Sequence, residues 1–161
     1  MDKKLEPGLG ELLRHLTDLV DSGAHADYRA RGVAYRPRYT PIMRVLADGA
    51  RPVGEIVAQL SITQGAVSQT LKRMEEDGLI VRRAGRDARK TIVTLTKSGR
   101  RLLTVLEPHW QGTFRAVEAL EKEVGAPIRS VLATTIAALA KVGFDKRIAD
   151  AERGRRGARK K

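Results

Sequence analysis

A group of polar side chains between residues 63 and 73 has the composition needed to contact nucleic acid bases. The stretch contains no acidic residue. A glutamine amide can pair bidentately with adenine, and a lysine or arginine can reach guanine or phosphate. We therefore interpret the stretch as a base-reading set, with an ordinary solvated helix face as the alternative. The candidate residues are Thr63, Gln64, Gly65, Ser68, Gln69, Lys72 and Arg73.

A second cationic group follows in segment 84–90. The flanking segments 79–83 and 91–95 are rich in β-branched and apolar residues, which predicts a β-hairpin with a basic loop. Such a loop can lay a cation into the minor groove of DNA, whereas surface charge without a DNA role is the alternative. The candidate residues are Arg86, Asp87, Arg89 and Lys90.

The elements that would position these groups follow from the apolar periodicity. Residues 63–77 are predicted to form a helix that ends at Gly78, with Thr63 as the N-cap and Ile62 filling the turn before it. Its inward side repeats at steps of four and three residues: Val67, Leu71 and Met74. Two short helices, over 40–47 and 53–60, precede it. Helix, joint, helix and hairpin in this order are typical of a winged helix-turn-helix.

Long amphipathic segments flank this core. A leucine-rich stripe predicts a helix that starts after Pro7 and Gly8, and a second helix is predicted from Lys97, with Leu102, Leu103, Val105 and Leu106 facing inward. Pro108 is expected to kink or restart it, and a last helix is expected over 128–142. One small winged core can hardly cover these stripes, so they predict a homodimer.

The predicted fold is mainly α with a small β-hairpin wing, a winged helix-turn-helix with N- and C-terminal dimerisation helices. Residues 1–39 hold the N-terminal helix and a connecting segment, and residues 40–95 form the DNA-binding domain. Residues 96–145 hold the C-terminal dimerisation helices. Residues 146–161 are expected to be a basic, largely disordered tail, because they offer almost nothing to bury.

The net charge of the 161-residue chain is +12, which makes a polyanion the first partner to consider. Nucleic acid, here double-stranded DNA, leads, and an anionic membrane surface follows. Half of that charge lies in 146–161, where eight basic residues face two acidic ones. The tail can serve as a solvated segment, as a non-specific phosphate contact or as a contact to an acidic membrane surface. Segment 28–52 carries +5 without an assigned role.

Several classes of function lack support in the sequence. The chain has no cysteine, its three histidines are scattered, and no glycine-rich phosphate loop follows a strand. We therefore expect no enzyme activity, no metal and no cofactor. The N-terminus has no apolar signal, and no apolar run is long enough to span a membrane, so a cytoplasmic, nucleoid-associated protein without a membrane partner is expected.

The segment from Leu60 to Arg83, LSITQGAVSQTLKRMEEDGLIVRR, resembles the MarR family of bacterial winged helix-turn-helix regulators. Asp87-Ala88-Arg89 is similar to the Asp-x-Arg wing motif of that family. Leu-Thr-Lys-Ser-Gly-Arg over 95–100 is similar to its entry into the helix after the wing. The resemblance covers residues 40–106 well and the rest by helix order. Segment 28–39, with its dense arginines, departs from the family pattern and is either a backbone contact or a loop.

The resemblance implies an interlocked homodimer that places two recognition helices on a palindromic operator. It implies that Arg89 enters the minor groove, with Asp87 orienting it through a salt bridge. It also implies a small aromatic effector bound between the dimer helices and the winged core. Residues that are candidates for that ligand pocket, although each is more often core, are Tyr35, Tyr39, Met43, His109 and Trp110.

These observations predict a sequence-specific transcriptional regulator, a repressor that blocks polymerase at its operator. One alternative is a general or architectural DNA-binding protein with little base preference, in which the basic tail dominates. Another is a protein-interaction module built on the same winged helix.

Overall fold

The computed structural model describes residues 6–85, 87 and 89–158, with side chains to residue 153. The chain divides into two compact units, Met1–Glu107 and Pro108–Lys161. The described helices and strands are, in chain order, α1 Leu9–Ala30, α2 Thr40–Ala47, β1 Arg51–Pro52, α3 Val53–Gln59, α4 Gln64–Glu76, β2 Ile80–Ala84, β3 Thr91–Leu95, α5 Lys97–Val124, α6 Ile128–Lys141 and α7 Phe144–Ala158, with a 3₁₀ turn at Pro37–Tyr39. The mainly α fold with a small wing is confirmed.

The core of the first unit lies between α2, α3 and α4. Each of these helices turns an apolar side to the others, as their periodicity predicts. The buried side chains are Ile42, Met43 and Leu46 from α2, Ile56 from α3, and Val67, Leu71 and Met74 from α4. Burial of this set fixes the orientation of α4, and its opposite side is left to the solvent.

The wing is a three-stranded antiparallel sheet in the order β1-β3-β2. Strands β2 and β3 form the predicted hairpin, in which Ile80 pairs with Leu95 and Ala84 with Thr91. Strand β1, which pairs Arg51 with Val93, was not predicted. Two residues, one of them proline, give too short a pattern to read as a strand, and the pairing depends on β3, which lies some forty residues later in the chain.

The start of α5 is fastened to the turn between α4 and β2. The hydroxyl of Thr96 donates to the Gly78 carbonyl at 2.7 Å and accepts from the backbone N–H of Gly99 at 3.0 Å. The backbone N–H of Thr96 also donates to the Leu79 carbonyl at 3.0 Å. A Cβ atom on Gly99 would lie 2.1 Å from the Leu79 carbonyl oxygen. The Leu-Thr-x-x-Gly-Arg segment therefore packs the start of α5 against the turn between α4 and β2.

The second unit contains the C-terminal part of α5 together with α6 and α7. Arg129 links α6 to α5, because its backbone N–H and its guanidinium both donate to the Glu121 carboxylate, at 2.8 and 2.9 Å. No residue of α6 is buried. Large apolar side chains stay exposed throughout this unit, among them Val124, Val131, Ile136, Phe144 and Ile148.

No single helix in the described part of the chain is long and apolar enough to cross a bilayer. Helices α5 and α6 reach the length and apolar composition of a membrane span only when they are taken together, and the pair is bent at the break between them.

The expectation that Pro108 restarts the helix is wrong, because α5 is one helix from Lys97 to Val124 with Pro108 inside it. A proline removes one backbone hydrogen bond, and the long helical runs on both sides tolerate that loss. Helix α1 continues through Gly23 to Ala30, although the apolar pattern loosens from Ser22.

Two expectations about inward-facing residues are also wrong. Ile62 is 39% exposed and does not fill the turn before α4, although Thr63 caps that helix as expected. Val105 is 53% exposed, whereas Leu103 and Leu106 on the same helix are buried. The inward face of α5 is therefore narrower than the sequence indicated.

The expectation of a largely disordered tail is wrong for the backbone of 144–158, which forms α7. Alanine and arginine are strong helix formers. Asp145 lies in the first turn, and Arg153 pairs with Asp150 one turn earlier. The guanidinium of Arg147 donates to the carbonyls of Ala138 and Val142, at 3.0 and 3.1 Å. The described contacts of α7 are therefore local ones, an ion pair within the helix and hydrogen bonds from Arg147 to the end of α6.

We predict that Gly99→Ala destabilises the protein by about 1–3 kcal/mol, because the new methyl group meets the Leu79 main chain, which has little room to move. The matched control is Gly112→Ala in the same helix, where nothing lies within 4 Å of an added Cβ. That change should stabilise by about 0.5–1 kcal/mol. Urea unfolding of both variants provides the measurement, and equal midpoints would contradict the packing role.

Candidate nucleic-acid interface

Helix α4 presents the candidate base-reading residues on its solvent side. The Thr63 hydroxyl accepts a hydrogen bond from the Ala66 backbone N–H at 3.2 Å, which satisfies one of the free donors at the start of the helix. The whole candidate set is exposed: Thr63, Gln64, Gly65, Ser68, Gln69, Lys72 and Arg73. The structure therefore leaves amides, a hydroxyl and two cations on one accessible surface without an acid among them.

Three acids lie at the other end of α4, and each has a cationic or hydroxyl partner. The Glu75 carboxylate accepts from Arg82 Nε of β2 at 2.9 Å, and this hydrogen bond lowers the pKa of Glu75 and raises that of Arg82. Glu76 lies 4.0 Å from Lys72 Nζ. These pairs offset negative charge that would otherwise repel a polyanion.

Asp77, the third acid, is bound from the segment before α2. The Tyr39 hydroxyl donates to Asp77 Oδ2 at 2.7 Å, and Arg36 Nε donates to the same oxygen at 3.4 Å. Asp77 is exposed at the end of the helix, and it also lines a cleft.

The loop of the wing is closed by its own main chain. The backbone N–H of Gly85 donates to the Lys90 carbonyl at 2.7 Å, and that of Lys90 donates to the Asp87 carbonyl at 2.9 Å. Asp87 Oδ1 accepts from the backbone N–H of Arg89 at 3.0 Å. Asp87 thus contacts the main chain of Arg89 and shapes the turn that carries its side chain.

The side chains of Arg89 and Lys90 are exposed, and Arg86 lies outside the described residues. The salt bridge between Asp87 and Arg89 that the resemblance implied is replaced, between these two described residues, by the main-chain contact. A wing cation remains accessible at the tip of the hairpin.

A cleft of about 490 Å³ opens between the end of α1, the 3₁₀ turn and the end of α4. Of the five candidate pocket residues, it brings Tyr35 and Tyr39 together. Met43 is wholly buried in the core, and His109 and Trp110 belong to the second unit. Four polar residues that line the cleft could not be predicted: His25, Arg29, Arg36 and Asp77. They come from segments far apart in the chain, and no local sequence pattern indicates that such segments meet.

Segment 28–39 is more than a simple loop, because its aromatic side chains pack against one another. Tyr28 packs edge-to-face on Tyr35 with ring centroids 4.9 Å apart, and Tyr35 packs likewise on Tyr39 at 6.0 Å. All three rings are buried. The segment is thus anchored by an aromatic cluster.

Burial and the bond to Asp77 raise the pKa of Tyr39 to about 12. Burial also raises the pKa of Tyr35, although its hydroxyl bonds to Thr40 Oγ1 at 3.1 Å. In the described part of the chain, no group of three His, Cys, Asp or Glu side chains is placed to hold a metal ion.

Comparison with known proteins gives a match to the part of the chain that holds α4 and the loop of the wing. A model of the MarR family matches residues 36–90, which hold α2, β1, α3, α4, β2 and the loop of the wing. Over this stretch the chain is similar to the MarR family. The match confirms the resemblance that the sequence indicated. A search of curated proteins found no significant match.

Solved structures share the fold of this winged helix and of the helices around it. A MarR family transcriptional regulator from Silicibacter pomeroyi is 27% identical, with a TM-score of 0.56 over 81% of this chain and 94% of that one. The M. tuberculosis regulator MosR, solved in complex with DNA, is 21% identical, with a TM-score of 0.69 over 86% of this chain and 100% of its own. NadR in complex with 4-hydroxyphenylacetate is 21% identical, with a TM-score of 0.53 over 88% and 99%.

The raised pKa of Tyr39 predicts a loss of stability at alkaline pH. A phenol whose pKa is higher in the folded than in the unfolded state stabilises the fold below pH 10, and this contribution disappears as the pH rises through 12. We expect the free energy of unfolding to fall by about 1.4 kcal/mol per pH unit in that window for this group.

Tyr39→Phe should be less stable at neutral pH, because Asp77 loses a donor, and should decline less steeply above pH 10. Urea unfolding at stepped pH, with phenolate absorbance followed in parallel, tests this. Complete ionisation of the tyrosines near pH 10 in protein that is still folded would contradict it.

Proposed function

We propose that this protein is a sequence-specific DNA-binding transcriptional regulator that acts as a homodimer on a palindromic operator and represses transcription. The observation that carries the proposal is the solvent side of α4, where Gln64, Ser68 and Gln69 stand among cations while the nearby acids are held by partners. A charged surface alone would bind phosphate. The uncharged amides are what can distinguish one base from another.

The wing supports the same proposal. Its loop is closed by main-chain hydrogen bonds and presents Arg89 and Lys90 at its tip. A cation inserted into a minor groove reads the groove's width rather than individual bases. With α4 in the major groove, Arg89 would contact the flanking minor groove and extend the sequence that is read.

The exposed apolar side chains support the homodimer. Helix α1 leaves a stripe of leucines in solvent, and the second unit leaves several large apolar residues exposed. Isolated apolar residues on a surface are ordinary, but continuous stripes mark an interface. A second copy of the chain supplies a matching surface, and a two-fold axis explains why the operator would be palindromic.

The DNA partner and the effector have parallels among proteins of the same fold. MosR was solved in complex with DNA, and NadR in complex with 4-hydroxyphenylacetate. For this chain we propose duplex DNA as the main partner, a small aromatic effector in the cleft at Tyr35 and Tyr39, and a location in the cytoplasm with the chromosome. Enzyme activity forms no part of the proposal.

Gln69→Ala should cost about 1–3 kcal/mol of binding free energy on the preferred operator and relax the base preference at one position. Selection of bound duplexes from a random pool, followed by titration of the winning and scrambled sequences, measures both effects. The matched control is Gln111→Ala, an exposed glutamine of α5 in the second unit. An equal loss on every sequence would contradict base reading by Gln69 and favour the general DNA-binding alternative.

The basic end of the chain should add affinity without selectivity. Replacing Arg155, Arg156, Arg159, Lys160 and Lys161 by glutamine should weaken binding to all duplexes alike. The logarithmic salt slope should become shallower by about 0.9 for each phosphate that the tail no longer neutralises. Binding titrations at stepped salt concentrations provide the measurement. A loss confined to the preferred operator would show that the tail reads sequence, and failure of the full chain to bind any duplex at low salt would favour the protein-interaction alternative.

A further inference from the structure

Gly65 lies among the candidate base-reading residues of α4, where the other members carry side chains. It is exposed, and it precedes Gln69 by one turn and Lys72 by two turns. Residues at steps of four and three line one side of a helix, so these three positions form a single row. At the first position of that row the main chain itself is the surface.

In the described part of the chain, nothing requires a glycine at this position. Gly65 is helical and is not among the glycines with positive φ. Apart from the backbone of α4 itself, no described atom lies within 4 Å of a Cβ added to it, whereas a Cβ on Gly99 would meet the Leu79 carbonyl. Glycine also makes a helix less stable than alanine does. The protein's own packing would therefore accept a methyl group here.

The polar residues around Gly65 turn the missing side chain into a recess. Gln64 precedes it, and Ser68 and Gln69 lie one turn further along the helix. All three are exposed, and none of their side chains reaches within 4 Å of the Cβ position of Gly65. The floor of the recess is the Cα atom of Gly65, which is apolar. The recess is as deep as the methyl group that an alanine would place there.

The major groove of DNA offers one apolar group that projects from a base edge, the C5-methyl group of thymine. The other groups on these edges are hydrogen-bond donors and acceptors, which suit the amides beside Gly65 better than its Cα atom. On the proposed function α4 lies in this groove. A recess of methyl size with an apolar floor then favours thymine over cytosine, which carries only hydrogen at C5.

We propose that Gly65 is a specificity-determining residue, because the recess over its Cα atom receives the C5-methyl group of one thymine in each half-site of the operator. Gln69 reads a base edge one turn further along the same row. The inference rests on the proposed function and adds to it one base and one residue, whose contribution comes from the side chain that it lacks.

Operators that lack single methyl groups test the contact with the full chain. The duplex that the parent chain prefers is selected from a random pool. Each of its thymines is then replaced, in both half-sites together, by deoxyuridine, which lacks only the methyl group. At one position the parent should bind the deoxyuridine operator about fourfold more weakly per half-site, which is the effect of burying one methyl-sized group.

Gly65→Ala should reverse that preference. Its own methyl group fills the recess, so this variant should bind the thymine operator at least about tenfold more weakly than the parent does. With deoxyuridine at the same position, the variant should recover to within about threefold of the parent. Urea unfolding should show that the variant is at least as stable as the parent, so misfolding does not explain the loss.

Gly54→Ala is the matched control. Gly54 is likewise the second residue of its helix, α3, is exposed, and has no described atom within 4 Å of an added Cβ apart from the backbone of α3. Because Gly54 lies outside the row on α4, its replacement should leave the ratio of affinities for the thymine and deoxyuridine operators unchanged at every position.

The inference is overturned, with the regulator proposal intact, if Gly65→Ala binds the thymine operator as tightly as the parent does or more tightly. An equal loss on the thymine and deoxyuridine operators would also overturn it and would indicate a phosphate contact. So would a preferred operator in which no thymine is sensitive to removal of its methyl group. A parent chain that binds every duplex alike would instead overturn the proposed function, and the thymine contact with it.

Discussion

The close approach of α5 to the turn after α4 is the constraint on which the rest of the first unit depends. Gly99 lets the start of α5 lie against the Leu79 carbonyl, and Thr96 joins both ends of the contact by hydrogen bonds. Helix α5 continues from there into the second unit, where the exposed apolar faces lie. The same backbone contact therefore fixes where α5 begins relative to α4 and the hairpin.

Asp77 likewise connects two parts of the first unit, the C-terminal end of α4 and the segment before α2. One carboxylate oxygen accepts from Tyr39 and from Arg36, and its backbone closes the last turn of α4. The aromatic cluster of Tyr28, Tyr35 and Tyr39 holds the other side of that arrangement in the core. The +5 charge of segment 28–52 thus includes an arginine with a structural partner, which composition alone left without a role.

Much of the fold was predictable because its signals are local. The apolar steps of α4, the capping by Thr63 and Thr96, and the glycine at 78 with φ of 69° each lie within a few residues of the feature they specify. The candidate base-reading residues followed from the same periodicity. What could not be predicted depends on distant pairing: strand β1 on β3, and the cleft on a contact between Arg36 and Asp77. The sequence pattern of the tail does not indicate α7, because this helix has little apolar surface to bury; its local contacts are the ion pair of Arg153 with Asp150 and the bonds of Arg147 to the end of α6.

The bond between Glu75 and Arg82 has a further consequence for DNA. It joins helix α4 to strand β2 of the wing, because the Glu75 carboxylate accepts from both the backbone N–H and the guanidinium of Arg82. These hydrogen bonds fix the position of β2 against the end of α4, and on the proposed function they would help to set the span between a major-groove contact of α4 and a minor-groove contact of the wing. On the proposed function the duplex must adjust its own twist and groove width to that span. Sequences that deform easily would then be favoured even at base pairs that no side chain touches.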